Sequence, residues 1–348
     1  MLDSVEQVSQ RLPVGVREEQ VTRIRGEAER LFAKAVERGI HRQRTTGEKS
    51  NLLIQKEDPN RKPRPAELPG ITGPCHGVGA DVGASLTKLV FRSSDGSLRF
   101  DLLPSVDPDE TARRISAAQP REIGLTGAGS TQVSGLLKLD TARFAEFEAW
   151  RQGTTALLSH QGFTPPVRDL VVSLGTGTSI LLIEPGRATR VGGTALGGGT
   201  LLGLGAGLVG TADFDELMTL TARGDRRRVD LLVSDIDPDG VIPLPRDLTA
   251  SAMAKLGMTA ETPDPSDLAH AVIGLIGENV GLLAGALAAL TGALRIVFAG
   301  STLRRNPTLR NLLACATAAR GREVIFPKDG EFAGAIGALE LASKNDDA

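Results

Sequence analysis

The chain has no tyrosine, one tryptophan, four histidines and two cysteines among its 348 residues. Cys75 and Cys315 stand far apart in sequence and in no metal-ligand spacing. That excludes a disulfide scaffold or a thiolate metal site and points to reduced thiols in a cytoplasmic protein. No charge of one sign dominates, and the formal net charge is -2. A general nucleic-acid binder is usually strongly basic, so a nucleic-acid partner is not expected. Residues Met1 to Val14 are polar and lack the apolar core of a secretion signal. The longest apolar stretch, Val272 to Leu294, is diluted by glycines, Glu278, Asn279 and Thr291. It reads as a buried helix, and no membrane span is expected.

Glycine is abundant, with 41 residues, and its placement organises the chain. Before it, residues 1–73 form an extension. Val21, Ile24, Ala28, Leu31, Phe32, Ala35 and Val36 make one apolar stripe of a helix over Glu18–Arg38. Residues 43–73 are rich in Lys, Arg, Pro and Glu and read as a linker or surface loop. From Cys75 the pattern changes to short apolar strands punctuated by glycine. Strands are expected at 76–81, 86–92, 98–103, 122–125, 170–174, 179–184, 189–191, 295–299 and 322–326. Helices are expected at 111–119, 141–160, 214–223, 227–234, 249–254, 265–289, 309–319 and 332–343. Strands alternating with helices argue for an α/β fold. Residues 74–168 form a first lobe and 169–348 a second.

One device recurs: a short strand, a turn of Gly with Ser or Thr, then a helix or a returning strand. It occurs at Val78–Ser85, Ile123–Ser130, Val171–Ser179 and Val297–Ser301, with Gly197, Gly198 and Gly199 in addition. Glycine lets backbone N–H groups approach an anion closely, and hydroxyls add donors. The set points to bound nucleotide phosphates. No P-loop lysine motif is present, and the spacing is not that of a dinucleotide fingerprint. Asp81 lies inside the first turn, where a carboxylate repels phosphate unless a cation intervenes. That favours Mg²⁺, with turn capping as the plainer role. Lys88, on the returning strand, can reach a phosphate or be a surface lysine.

These turns resemble those of the sugar kinase, Hsp70 and actin ATPase superfamily, a two-lobed, ribonuclease H-like α/β fold with ATP in the interlobe cleft. Their order and surroundings are similar to type II pantothenate kinases. The matching segments are Gly79–Leu89, Leu125–Gly129, Glu146–Gly153, Leu174–Ser179, Arg190–Leu204, Phe214–Leu217, Gly224–Asp235, Ala299–Arg304 and Gly330–Leu339. The resemblance covers about Val78 to Leu341. It implies an ATP-dependent phosphorylation of pantothenate, the first step of coenzyme A synthesis, by a homodimer. A related hydroxyl acceptor such as pantetheine is the alternative acceptor. A nucleotide-binding sensor without turnover is the reading outside enzymes.

Residue by residue, the resemblance implies that Glu146 is the general base, with Glu148 pointing elsewhere because it is two positions away on a helix. Arg190 matches the arginine that binds the pantothenate carboxylate, with Ser179 and Gly193 on the substrate side. Gly83, Ala84, Ser85, Lys88, Gly127, Gly129, Thr176, Gly177, Gly197, Gly198, Gly199 and Thr200 match positions around ATP. Phe214 matches an aromatic near adenine, and Gly300 and Ser301 match the adenosine-side turn. Asp81 matches the Mg²⁺ position. Two alanines depart from the family's glycines, Ala84 and Ala128. An alanine forced to positive φ would cost about 1 kcal/mol or somewhat more and weaken ATP binding. The Gly- and Ala-rich helix 265–289 is a candidate dimer core or a helix buried within the monomer.

Overall fold

The computed structural model describes residues 75–346, apart from Pro243, Pro245, Ala319 and Arg320. The expected Glu18–Arg38 helix and the polar stretch after it lie outside the described residues. The first sheet contains β1 (Cys75–Val82), β2 (Leu86–Ser93), β3 (Leu98–Pro104), β4 (Glu122–Thr126) and β5 (Ala142–Arg143) in the order β3-β2-β1-β4-β5. Strands β1 to β3 pair antiparallel, and β4 and β5 add in parallel. Helix α1 (Pro108–Ala117) precedes β4, α2 (Ser130–Leu136) follows it, and α3 (Glu146–His160) leaves the sheet. Asp107 caps α1 by accepting from the Glu110 N–H, with Pro108 in the first turn.

The second sheet contains β6 (Asp169–Leu174), β7 (Thr178–Glu184), β8 (Arg187–Thr194), β11 (Arg295–Ala299) and β12 (Glu323–Ile325) in the order β12-β11-β6-β7-β8. Its long insertion runs through α4 (Gly198–Leu204), a π turn at Gly205–Val209, α5 (Phe214–Thr221), a 3-10 turn at Arg226–Arg228, β9 (Leu231–Leu232), α6 (Val233–Ile236) and β10 (Thr249–Ser251) to α7 (Pro265–Thr291). Helices α8 (Pro307–Ala318) and α9 (Ala333–Asp346) complete the fold.

Alternation along each strand sorts residues to two faces. Val78, Ala80 and Val82 face Ile115 of α1 and Val133 of α2. Leu170, Val172 and Leu174 face Val272, Ile276 and Val280 of α7. The remaining face of each sheet meets a shared helical layer. Val90 from the first sheet and Val171, Leu181, Ile183 and Val297 from the second pack with Leu157 and Leu158 of α3 and Ile336 and Leu339 of α9. The succession is helix, sheet, helix, sheet, helix. Each fully buried Leu or Ile contributes roughly 2 kcal/mol of transfer free energy. Helix α7 has the length and composition of a membrane span, yet 61% of its most apolar window is buried in this core. Asp264 and Pro265 start it, and Gly292 ends it in the left-handed conformation at φ 68°.

Helix α9, grouped with the second lobe on sequence, packs on β1 and β4 of the first. The shared layer is tight because glycines line it. A Cβ at Gly153 of α3 would overlap the Ala333 carbonyl, and one at Gly337 would overlap the Ala149 carbonyl. Gly79 and Gly124 admit the α9 backbone onto the sheet in the same way.

Four elements differ from expectation. The helix over 141–160 starts only at Glu146, because Ala142–Arg143 joins the sheet beside Gly124–Leu125. The helices at 227–234 and 249–254 give way to the β9–β10 pair. Buried Asp230 holds that region, accepting from Met253 N–H at 2.9 Å and Arg226 at 3.4 Å. The strand at 189–191 extends over Arg187–Thr194.

Gly153→Ala and Gly337→Ala are each expected to lower the urea-unfolding free energy by about 3 kcal/mol through overpacking. Gly135→Ala, with nothing within 4 Å of the added carbon, should be neutral or slightly stabilising.

Candidate active site

The two sheets present their glycine turns to one cleft of about 650 Å³. That size suits a nucleotide with a small acceptor. The β1–β2 hairpin supplies the first wall. Its turn closes through the Gly83 N–H donating to Leu86 O at 3.3 Å, leaving Ala84 and Ser85 exposed at the tip. Below the tip, Asp81 and Lys88 face each other across the ladder with Nζ 3.8 Å from Oδ2. Both are buried. Burial pushes the Asp81 carboxyl above the usual carboxylate range, and Lys88 opposes that rise.

The β6–β7 hairpin supplies the second wall, with Thr176 exposed at its tip. Ser85 Oγ and Thr176 Oγ1 lie 2.9 Å apart, so the tips of the two hairpins meet. The amides of Gly198 and Gly199, expected to face phosphate, instead donate to Gly175 O and Thr176 O, each at 2.8 Å. They fasten the start of α4 beneath the second hairpin. Gly197 packs on Gly177, where a Cβ would come within 2.7 Å of its Cα. Thr302 Oγ1 also donates to Gly175 O, at 2.9 Å.

The start of α3 brings Glu146 to the cleft in the first helical turn. Although its side chain opens to the cleft, enclosure by the walls raises its carboxyl above the ordinary range. The negative charge of Asp81 adds to the rise, and Lys88 lowers it. Glu148 turns away and pairs with Arg151. Arg190 enters from β8. A bulge pairs Ile180 with Gly192 and Leu181 with Arg190, leaving Val191 unmatched. The extra residue puts Arg190 on the cleft side while Gly192 faces Leu287 of α7. A Cβ at Gly193 would meet Arg190 Nη2 at 2.5 Å and Thr178 O at 2.6 Å, so the missing side chain makes room for the guanidinium.

Of the residues singled out from the sequence, Asp81, Gly83, Ala84, Ser85, Lys88, Gly127, Glu146, Thr176, Gly177, Ser179, Arg190, Gly198, Gly199, Phe214 and Ser301 line the cleft. Gly129, Gly193, Gly197, Thr200 and Gly300 stand behind its walls. Gly129 packs on Val82, and the Thr200 hydroxyl donates to Ala195 O at 2.9 Å. Gly300 holds φ 109° hard against Leu174. Trp150, Leu202, Thr302 and Arg304 also line the cleft and escaped sequence reasoning. Trp150 falls one helical turn after Glu146, a spacing visible in the sequence. Arg304 is the last residue of a matched segment to which no role was attached.

The expected cost of the two alanines does not arise. Among the described non-glycine residues, positive φ is confined to Gln119, Met253, Arg305 and Asp329. Ala84 and Ala128 carry their methyl groups without backbone strain.

A family model described as Fumble matches residues 152–340. A type II pantothenate kinase of Staphylococcus haemolyticus (strain JCSC1435) is 31% identical over 265 residues, covering 76% of this chain and 99% of the relative. One from Staphylococcus aureus (strain USA300) is 34% identical over 269 residues, covering 76% and 98%. The chain belongs to the type II pantothenate kinase family. Solved structures show the fold. Component A of the Acidaminococcus fermentans (R)-2-hydroxyglutaryl-CoA dehydratase aligns with TM-score 0.54 at 17% identity, covering 78% of this chain and 99% of that one. A ROK family glucokinase from Streptomyces griseus, in complex with glucose and AMPPNP, aligns with TM-score 0.51 at 13% identity, covering 77% and 99%. This kinase therefore has the two-lobed actin-like ATPase architecture.

Asp81 and Lys88 act on the Glu146 carboxyl in opposite senses. Lys88→Met removes a cation that lowers the Glu146 carboxyl, so with Asp81 still ionised the Glu146 pKa should rise. The acid limb of the kcat/KM profile should then move to higher pH, read by rates across a pH series. A limb that stays put or moves down would show that another group titrates.

Proposed function

We propose that this chain transfers the γ-phosphoryl group of ATP to the 4'-hydroxyl of pantothenate, the first step of coenzyme A biosynthesis, with Glu146 as general base. The carrying observation is the convergence of Glu146 and Arg190 on the cleft where both glycine hairpins meet. The hydroxyl needs to lose its proton as it attacks phosphorus, and a carboxylate of raised pKa is a competent acceptor near neutral pH. Arg190, with paired N–H donors, suits the carboxylate end of the acceptor and developing charge on the transferred group. Ser179 lies beside it on the neighbouring strand. The exposed tips at Ala84–Ser85 and Thr176 are read as facing the phosphates, and Phe214 and Ser301 as bounding the nucleoside end.

Mg²⁺ fits the site in one specific mode. Among the described residues no three His, Cys, Asp or Glu side chains cluster, so no all-protein cage is built. Asp81, buried with its carboxyl destabilised as an anion, is one carboxylate of the kind Mg²⁺ takes alongside substrate phosphates and water. When bound there, the ion would neutralise phosphate charge. Lys88 gives Asp81 partial compensation in its absence.

The chain is read as a cytoplasmic homodimer. Helix α7 keeps most of its surface in the monomer core, yet Leu282 and Leu290 in its C-terminal half are 49% and 82% exposed, and Leu294 just beyond its end is 56% exposed. That apolar end supports dimer contact through α7, in addition to the burial within the monomer.

Glu146→Gln should reduce kcat for pantothenate by 10²-fold or more, on the order of a lost general base, while calorimetry still detects ATP binding. Arg190→Ala should raise the KM for pantothenate and change that for pantetheine, which has no carboxylate, far less. An ADP-release assay with each acceptor reads both. Turnover of pantetheine alone would reassign the substrate, and ATP binding with neither acceptor turned over would leave a sensor.

A further inference from the structure

Trp150 is the only tryptophan in the chain. It follows Glu146 by four residues on α3, so the two side chains emerge one above the other on one helix face. Both line the cleft. The indole is anchored, only 4% exposed, and belongs to the interlobe core with Leu158 and Phe332. A buried indole N–H ordinarily finds an acceptor. None of the described residues accepts one from Trp150. Nor is its nitrogen among the fully enclosed unpaired atoms, which are Thr154 Oγ1, Thr221 Oγ1 and Arg322 Nε. Trp150 thus has no indole acceptor among the described residues, and it lines the cavity beside Glu146.

We infer that Trp150 is a specificity-determining wall of the acceptor subsite, its ring against the acceptor's apolar body and its N–H offered to a polar group there. The inference rests on the acceptor binding at Glu146. The subsite then has three kinds of contact in order: a carboxylate at the reacting hydroxyl, a flat apolar wall with one donor, and the Arg190 guanidinium. An acceptor that satisfies all three carries a primary hydroxyl, a compact aliphatic segment, an amide-like acceptor atom and an anionic end. The wall also shields the helix start from water, consistent with burial being the first cause of the raised Glu146 carboxyl.

Because no other tryptophan is present, the unmodified full-length protein reports on this contact through its intrinsic fluorescence. Titration with pantothenate should change the emission saturably, at concentrations matching calorimetric binding. The Glu146→Gln protein should keep that response while losing turnover. Trp150→Phe keeps a ring in the interlobe core but removes the donor. It should raise the KM for pantothenate about tenfold, as for one lost hydrogen bond, with kcat and the KM for ATP within about threefold. Calorimetric binding with silent fluorescence, or an unchanged KM in Trp150→Phe, would overturn the wall while leaving the kinase reading intact. Absence of calorimetric binding by pantothenate and pantetheine alike would overturn the acceptor reading itself, and the wall with it.

Discussion

The fold depends on how closely α3 and α9 cross. Two sheets share these helices as a common middle layer, and the cleft exists only where that layer ends. At the crossing, Gly153 and Gly337 each lie against the other helix's backbone with no room for a methyl group. The same helices reach the cleft. Glu146 and Trp150 lie in the first two turns of α3, and Gly334 of α9 stands against Asp81, where a Cβ would come within 2.8 Å of Oδ2. Backbone approach at the crossing thus fixes where Glu146 stands relative to the β1–β2 hairpin. A looser crossing would separate Glu146 from Asp81 and Lys88 and weaken the electrostatic coupling among them.

Glycine performs three different tasks in this chain, and only one was visible in its pattern. The first is closure of the hairpin turns that border the cleft, at Gly83, Gly175 and Gly177. The second is helix-to-helix and helix-to-sheet closeness, at Gly79, Gly124, Gly153 and Gly337. The third is clearance for a functional side chain, at Gly193 beside Arg190. Strand–turn repetition reveals the first. The others require knowing which elements meet, which no local pattern contains. The amides of Gly198 and Gly199 illustrate the limit: their glycines read as a phosphate cradle, but the second hairpin already accepts from them.

Element type was legible wherever local preference and tertiary demand agreed. Arg295–Ala299 is β-branched and aromatic, and it is a buried strand with the expected bounds. The insertion over 225–258 was misread because its order comes from buried charge. Asp230, with no exposed surface, accepts from the backbone of Met253 and from Arg226, which also donates to Glu278 on α7. That network ties the segment to the long helix and overrides helical composition. The start of α3 failed differently. Residues 141–145 have helical composition, but the sheet edge beside β4 takes Ala142 and Arg143 as a further strand. The correction matters because it moves Glu146 from a helix interior to the first turn, at the mouth of the cleft.

The alanines at 84 and 128 bear on whether the cleft is catalytic. Both depart from the family's glycines, and at positive φ either would have weakened ATP binding. With negative φ at both positions, neither alanine strains its turn. Ser85 retains its hydroxyl at the tip. The groups we propose for turnover line the same cleft: a carboxylate of raised pKa, a guanidinium given clearance by Gly193, and a buried Asp–Lys pair beneath the first hairpin. A cleft retained only to sense nucleotide has no use for the carboxylate and the guanidinium on the acceptor side. Their convergence therefore favours phosphoryl transfer, and the first glycine turn carries its alanine without weakening that case.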